Sequence, residues 1–291
     1  MVNFLNELIQ GDCLEVMKGI PDKSVDMIFA DLPYGTTALE YDKKVMSETG
    51  KQLTAALKDL KLEGHLTQKL REALKLVTYT PIDLYKLWEQ YERIIKDNGA
   101  ILLFAAQPFT TALVASNPKL FRYEIIWEKT MATLFQHANR RPMLQHETIL
   151  VFYKKQPTYN PQKTPGTPYK RKEGSGNRKA GGFHNNDILK AAIDNKGTRY
   201  PTTIVKYSNG NHNRLTKTEK PIPLLENYIK TYTNPGDVVL DNTAGAGGVG
   251  VAAINTGRHY ILIEKNAATA ALAAESLKQA KEGGTINGGN G

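Results

Sequence analysis

The sequence predicts an α/β fold. Short apolar runs of strand length alternate with amphipathic helical stretches, a glycine-rich loop opens a helix directly after one such run, and no internal repeat is visible.

The elements follow in order. In "GDCLEVMKGIP", Asp12 stands where an N-cap belongs, Glu15 follows at capping-box spacing, and Pro21 ends the helix. "SVDMIFA" reads as a strand running into "DLPYG", Asp31 to Gly35. Across residues 42–80, Leu53, Leu57 and Leu60 recur at helical spacing, Gly64 interrupts, and Leu66, Leu70 and Leu74 resume, which predicts a helical hairpin with charged outer faces. Next come an amphipathic helix in "PIDLYKLWEQYERIIKDNG", a buried strand in "AILLFAA", a helix after Pro108, and strands around "YEIIWEK" and "HETILVFYKK". Residues 155–215 are rich in Gly, Pro, Asn and Lys and read as the loops of an insertion or small subdomain. "PIPLLENYIKTYT" is then a helix, "DVVLD" a strand, "AGAGGVGVAAINTG" a glycine loop opening a helix, and "HYILIEK" another strand. An Ala-rich helix gives way to "GGTINGGNG", residues 283–291, expected to be a disordered tail.

Composition bounds the function. The 291 residues suffice for one large domain or two smaller ones, and the longest apolar run, "AILLFAA", falls far short of the roughly 20 residues of a membrane span. The N-terminus shows no export signal, so a soluble protein with no membrane partner is expected. A single cysteine, Cys13, excludes an intramolecular disulfide framework and fits a reducing compartment. The six histidines lack ligand spacing, so no metal site is expected. The net charge is +9, but Lys154 to Lys220 holds fifteen Lys or Arg against four acids, 15 − 4 = +11, leaving the rest slightly acidic. Such concentration suggests a polyanion, because neutralised phosphates release counterions; a solvated surface segment is the alternative from charge alone.

Gly245, Gly247 and Gly250 fit G-x-G-x-x-G after "VVLD", and Glu264 closes the next strand. Glycines admit close backbone approach, a helix N-terminus offers N–H groups, and an acid on the second strand can accept from ribose hydroxyls. A nicotinamide oxidoreductase uses the same parts. Only 41 residues follow Gly250, so strands from earlier in the chain must finish the sheet, and Asp241 puts a carboxylate where a pyrophosphate would lie. Position and charge therefore argue against that class. In "DLPYG", Pro33 fixes its own φ and lacks an N–H, leaving nearby carbonyls to point outward, while Asp31 sits at a strand's carboxyl end beside the flat face of Tyr34. A carboxylate, a carbonyl and a ring together can grip the amino group of an extrahelical base. A turn with a satisfied acid and a packed ring is the alternative for these residues alone.

Taken together, "DLPYG" and "DNTAGAG" resemble the DNA amino-methyltransferases, whose catalytic motif is Asp-Pro-Pro-Tyr and whose glycine loop binds S-adenosylmethionine. Catalytic motif first and glycine loop last is similar to the order of the permuted β group of that family. "GDCLEVMKGIPDKSVDMIFADLPYG", "LWEQYERIIKDNGAILLFAAQPF", "HETILVFYKKQPTYNPQ", "GTRYPTTI" and "KTEKPIPLLENYIKTYTNPGDVVLDNTAGAGG" carry the resemblance over most of the chain.

The resemblance implies a Rossmann-like S-adenosylmethionine-dependent methyltransferase sheet with circularly permuted motif order and an inserted basic DNA-recognition region. Residues 1–154 would form the catalytic half with 42–80 as a helical insertion, 155–215 the target-recognition region, and 216–282 the cofactor half. It also makes Asp31 and the Pro33 carbonyl the acceptors of the target amino group and Tyr34 the stacking platform. Asp241, Gly245 and Gly247 would cradle the methionine part of the cofactor, Glu264 the ribose, Asp12 and the Cys13 backbone the adenine, and Thr218 and Lys220 would lie near the methionine carboxylate. The implied partner is double-stranded DNA, in a bacterium or a phage-infected one, with a homodimer and a cognate restriction endonuclease left open as further partners. An acid in first place favours N6-adenine over N4-cytosine, and a catalytically inactive DNA-binding protein is the alternative of another class. The chain departs from the pattern at Leu32, where the family has proline, at Gly248, where threonine is common, and in lacking His-Pro before Thr218.

Overall fold

The computed structural model describes residues 4–35, 43–59, 64–172, 192–209 and 219–283. They fall into two compact units, Met1–Asn160 with Thr203–Gly291, and Pro161–Thr202.

The larger unit begins with β1 (Glu7–Gln10), α1 (Cys13–Val16) with a 3-10 turn at Met17–Gly19, and β2 (Val25–Ala30). It continues with β3 (Val45–Met46), α2 (Glu48–Asp59), α3 (Gly64–Thr78), β4 (Tyr79–Thr80), α4 (Leu84–Ile94), β5 (Ile95–Ala105), α5 (Phe109–Ser116), β6 (Phe121–Thr133) and β7 (Leu144–Phe152). The smaller unit holds only β8 (Thr164–Pro165), β9 (Tyr169–Arg171), β10 (Ile193–Asn195) and β11 (Thr198–Arg199), paired as two short antiparallel ribbons. The chain then returns to the larger unit with β12 (Ile204–Tyr207), α6 (Ile222–Tyr232), β13 (Val238–Asp241), α7 (Gly248–Asn255), β14 (His259–Glu264) and α8 (Ala267–Lys281).

Eight strands form one sheet in the order β1-β14-β13-β2-β5-β7-β6-β12. Strands β1, β14, β13, β2 and β5 run parallel, and β7 lies antiparallel between β5 and β6. The last strands of the chain thus complete a sheet begun by its first. Alternation along β2 sends Ile28 and Ala30 into one core with Leu87, Tyr91 and Ile94 of α4, and Met27 and Phe29 into a second with Leu224 and Tyr228 of α6. A central strand buried on both faces has to read as an unbroken apolar run, as "MIFA" does.

Three local outcomes differ from sequence expectation. Asp12 caps α1 by accepting from Leu14 N at 3.0 Å, but the side chain of Glu15 does not complete a capping box, because it pairs with Lys18 at 2.6 Å. Helix α4 stops at Ile94 instead of running on to Gly99: Ile95 aligns with Val25 of β2, and Lys96 reaches Asp26 at 2.7 Å, so sheet pairing overrides the helical pattern. Within the stretch read as loops, β12 pairs in parallel with β6, and Trp127 Nε1 donates to the Tyr207 carbonyl at 3.0 Å. The hairpin read over residues 42–80 is present as α2 and α3, whereas the tail at 284–291 lies outside the described residues.

Candidate functional site

Because β1, β14, β13 and β2 are parallel, their carboxyl ends share one edge of the sheet, where α/β folds leave a crevice. Along that edge lie Asp12 after β1, Glu264 ending β14, Asp241 ending β13 and Asp31 after β2. Strand β7 runs the other way, so its opening residues, among them Glu147, come to the same edge. Sequence-distant acids are gathered by topology alone.

Asp31 is where the two halves of the chain meet. The Thr243 hydroxyl, in the glycine turn, donates to the Asp31 backbone carbonyl at 3.2 Å. Leu32 is buried in the core, which leaves Asp31 and Pro33 on the partly exposed side of the strand exit. The Tyr34 hydroxyl donates to Asp31 Oδ1, and the Tyr34 ring packs on Phe109 at 5.7 Å. Asp31 Oδ2 accepts from the Lys220 ammonium, which also stands 3.4 Å from Glu147 Oε2; Glu147 Oε1 in turn accepts from Lys129.

These four charges are largely withdrawn from water, with side-chain exposures of 29% for Asp31, 11% for Lys220, 15% for Glu147 and 9% for Lys129. Burial pushes the Asp31 carboxyl above its ordinary value; Lys220 opposes the rise and Glu147 adds to it. Burial acts the same way on Glu147, but Lys220 and Lys129 outweigh it and hold that carboxyl low. Lys220 stays charged, because Asp31 and Glu147 outweigh its desolvation.

The glycine turn has a different character. Asp241 is 3% exposed and accepts from Thr243 N at 3.0 Å, and among the described residues no cation pairs with it. Desolvation pushes its carboxyl to about 7, with Asp31 and Glu264 adding repulsion. Gly245 (φ 54°) and Gly247 (φ 85°) take left-handed conformations that favour glycine. Gly245 N donates to Glu264 Oε2 at 2.9 Å and Asn266 N to Oε1 at 2.8 Å, which fixes that carboxylate beside the turn. A Cβ on Gly250 would stand 2.6 Å from Leu262 and 2.7 Å from Leu277, so the third glycine serves close helix packing.

Asp12 Oδ2 also meets Lys265 at 3.1 Å, and burial pushes the neighbouring Cys13 thiol up to about 11. Asn242, 2% exposed, accepts from the Tyr91 hydroxyl at 2.5 Å, and its side chain also acts on the Cys13 thiol, against the effect of burial. Thr218 lies outside the described residues. No group of His, Cys, Asp or Glu among the described residues could hold a metal ion, and no helix among them is long and apolar enough to cross a membrane.

The structure places Asp12, Asp31, Asp241, Gly245 and Glu264 along one edge of the sheet, and it puts the Lys220 ammonium on Asp31, where the resemblance implies a place near the methionine carboxylate. Glu147, Lys129, Asn242 and Thr243 were not singled out. Asn242 and Thr243 stand inside the quoted "DNTAGAG". Glu147 and Lys129 look like ordinary polar strand positions, and only strand pairing reveals them.

A DNA methylase family model for N6 and N4 methyltransferases matches residues 25–275. Among curated proteins, the chain is 25% identical over 283 residues to the type II methyltransferase M.HinfI of Haemophilus influenzae, covering 96% of this chain and 70% of that protein. It is 24% identical over 264 residues to the type II methyltransferase M.BglII of Bacillus subtilis, covering 88% of this chain and 64% of that one. Among solved structures, the M1.HpyAVI–SAM complex superposes with a TM-score of 0.56 at 18% identity, over 93% of this chain and 98% of that chain. The cytosine-N4-specific PvuII DNA methyltransferase superposes with a TM-score of 0.59 at 14% identity, over 95% and 90%. At such identities the two structures speak for the fold.

Proposed function

From the premise that this chain belongs to the DNA methylase family of N6 and N4 methyltransferases, we propose that it moves a methyl group from S-adenosylmethionine to the N6 amino group of adenine in double-stranded DNA. The observation that supports this reading best is the hydrogen bond from Thr243 to the Asp31 carbonyl, which joins the glycine turn to the acid of "DLPYG" across 212 residues of chain.

The residues suit the cofactor. Glu264 is held by two backbone N–H groups and keeps lone pairs for ribose hydroxyls. Asp241 is a buried carboxylate with no paired cation among the described residues, fit for the ammonium of a methionine moiety. Gly245 and Gly247 would let the backbone approach closely, and Asp12 with the Cys13 backbone would meet the adenine ring. The buried Asn242 Nδ2 is a further donor at the same strand end. When bound, S-adenosylmethionine supplies a methyl group carried on a sulfonium sulfur.

The remaining work falls to the chain. An aryl amine is a poor nucleophile because its lone pair is delocalised into the ring. Asp31 and the Pro33 carbonyl would accept its two hydrogens, draw the nitrogen toward sp3 geometry and stabilise the positive charge that develops there. Tyr34, backed by Phe109, would stack on the base. The proton leaves afterwards to Asp31 or water, and no covalent enzyme intermediate is required, so Cys13 is dispensable for chemistry. The basic stretch supplies the DNA contact: in the smaller unit, Arg199 lies 5.0 Å over the Tyr169 ring and Lys163 lies 4.4 Å over the exposed Tyr200 ring, a pairing of cations with aromatics suited to phosphates and bases.

The test is incubation with methyl-labelled S-adenosylmethionine and unmethylated bacterial genomic DNA, followed by nucleoside analysis. Label in N6-methyladenine is expected. Label in N4-methylcytosine would reassign the base, and no label in DNA would refute the activity.

A further inference from the structure

The target amino group, on the reading above, must find acceptor capacity on Asp31, yet both carboxyl oxygens are already engaged, Oδ1 by the Tyr34 hydroxyl and Oδ2 by the Lys220 ammonium. Lys220 presents N–H groups from a tetrahedral nitrogen, the same donor chemistry as an incoming amine, and it carries a full charge. Each oxygen keeps a second lone pair, but an ammonium held on Oδ2 weakens that oxygen as an acceptor and repels the positive charge that develops on the target nitrogen, so the acid serves the amine better once the ammonium has somewhere else to go.

Glu147 offers the place. Its Oε1 is held by Lys129, while the buried Oε2 meets the Lys220 ammonium at 3.4 Å, close enough for the two charges to act on each other but longer than a normal charge-assisted hydrogen bond. A buried carboxylate oxygen so loosely held gains from a closer donor. Closing that gap to a normal charge-assisted bond takes a shift of about 0.6 Å. Pro221 follows Lys220 directly and opens α6 at φ −60°, which restricts the lysine backbone and leaves the movement to the side chain. The Phe104 and Tyr34 rings lie 5.0 Å and 6.0 Å from the ammonium and support it wherever it stands between the two carboxylates. Asp31, Lys220, Glu147 and Lys129 form an alternating row whose formal charges cancel, so moving the ammonium brings no net charge into the buried site.

We propose that Lys220 is a two-position counter-ion of the catalytic acid: it donates to Asp31 Oδ2 until the target base enters, then to Glu147 Oε2 once the amino group has taken its place. Lys129 keeps Glu147 in register. Lys220, Glu147 and Lys129 are on this view positioning residues. The proposal rests on Asp31 as acceptor of the target amine.

The groups acting on Asp31 are Lys220, Glu147 and Tyr34, Asp31 itself raises the neighbouring Asp241, and two substitutions move the titration of Asp31 in opposite senses. Lys220→Met removes the charge that favours ionised Asp31; the 13C signal of the Asp31 carboxyl, followed in cofactor-free protein, should titrate at higher pH than in wild type. The acid limb of methyl transfer should move up with it, and activity should recover at alkaline pH. Glu147→Gln removes a repelling carboxylate, so Asp31 should titrate lower, yet transfer should be about tenfold or more slower at every pH, because a neutral amide draws the ammonium less strongly than a carboxylate and leaves it on Oδ2. Glu147→Asp should regain part of the rate. Should Glu147→Gln fail to fold, the paired Lys129→Met, Glu147→Met variant removes that position without stranding a buried charge, and the same loss is expected. Wild-type rates in Glu147→Gln, an unmoved Asp31 titration in Lys220→Met, or a rate loss matched by lost affinity for S-adenosylmethionine would overturn the proposal. Retained transfer in Asp31→Ala would instead overturn the reading beneath it, so the two failures are distinguishable.

Discussion

Asp31 and Asp241 follow or end adjacent parallel strands, both are withdrawn from water, and both have carboxyls raised above their ordinary values by burial, yet the chain equips them in opposite ways. Asp31 carries its own counter-ion, Lys220, a tyrosine hydroxyl and a second acid–lysine pair behind them. Asp241 has a backbone N–H and a threonine hydroxyl and no cation among the described residues, and desolvation, with repulsion from Asp31 and Glu264, raises its carboxyl to about 7. A buried acid with a built-in cation is ready to work on a neutral group such as an amine. One left without is costly until a ligand brings the charge. Two carboxylates one strand apart are thereby assigned to two different molecules.

The largest loss is expected at Asp31. Asp31→Ala should lower methyl transfer by about a thousandfold, measured as label incorporated into DNA, because the developing charge on nitrogen loses its acceptor. Asp241→Asn sharpens the other side through stability. A carboxyl whose folded value of about 7 lies above its ordinary 3.8 contributes stability that is fully present below about 3.8 and lost as pH rises through about 7. The asparagine variant should therefore be more heat-stable than wild type at pH 8 in the absence of ligand, by several degrees, with the gain disappearing at pH 4. The same sign makes binding of a cationic ligand tighter above pH 7 and weaker below it in wild type. Gly250→Ala leaves both carboxylates in place and presses on Leu262 and Leu277; a loss of about 1–3 kcal/mol in thermal unfolding is expected, with little change in the pH dependence.

Much of this was legible in the sequence because it is local. The unbroken apolar run of β2, the Leu84, Leu87, Tyr91 and Ile94 spacing of α4 and the cap at Asp12 are written within a few residues of themselves. What depended on partners far along the chain was hidden. Ile95 leaves the helix because Val25 pairs with it, β12 exists because β6 lies alongside, and Glu15 turns to Lys18 instead of back to its cap. At the site the same rule holds: the acids stand at strand ends and can be guessed, whereas Glu147 matters only because an antiparallel strand brings it to an edge that Lys220, 73 residues later, also reaches.

Calorimetric titration of S-adenosylmethionine into Asp31→Ala and Asp241→Ala at pH 8 tests the division of labour directly. Asp31→Ala should bind within about threefold of wild type, and Asp241→Ala should bind about a hundredfold more weakly, the ~2.7 kcal/mol of a lost charge-assisted contact. Equal losses in the two variants, or wild-type affinity in Asp241→Ala, would contradict it.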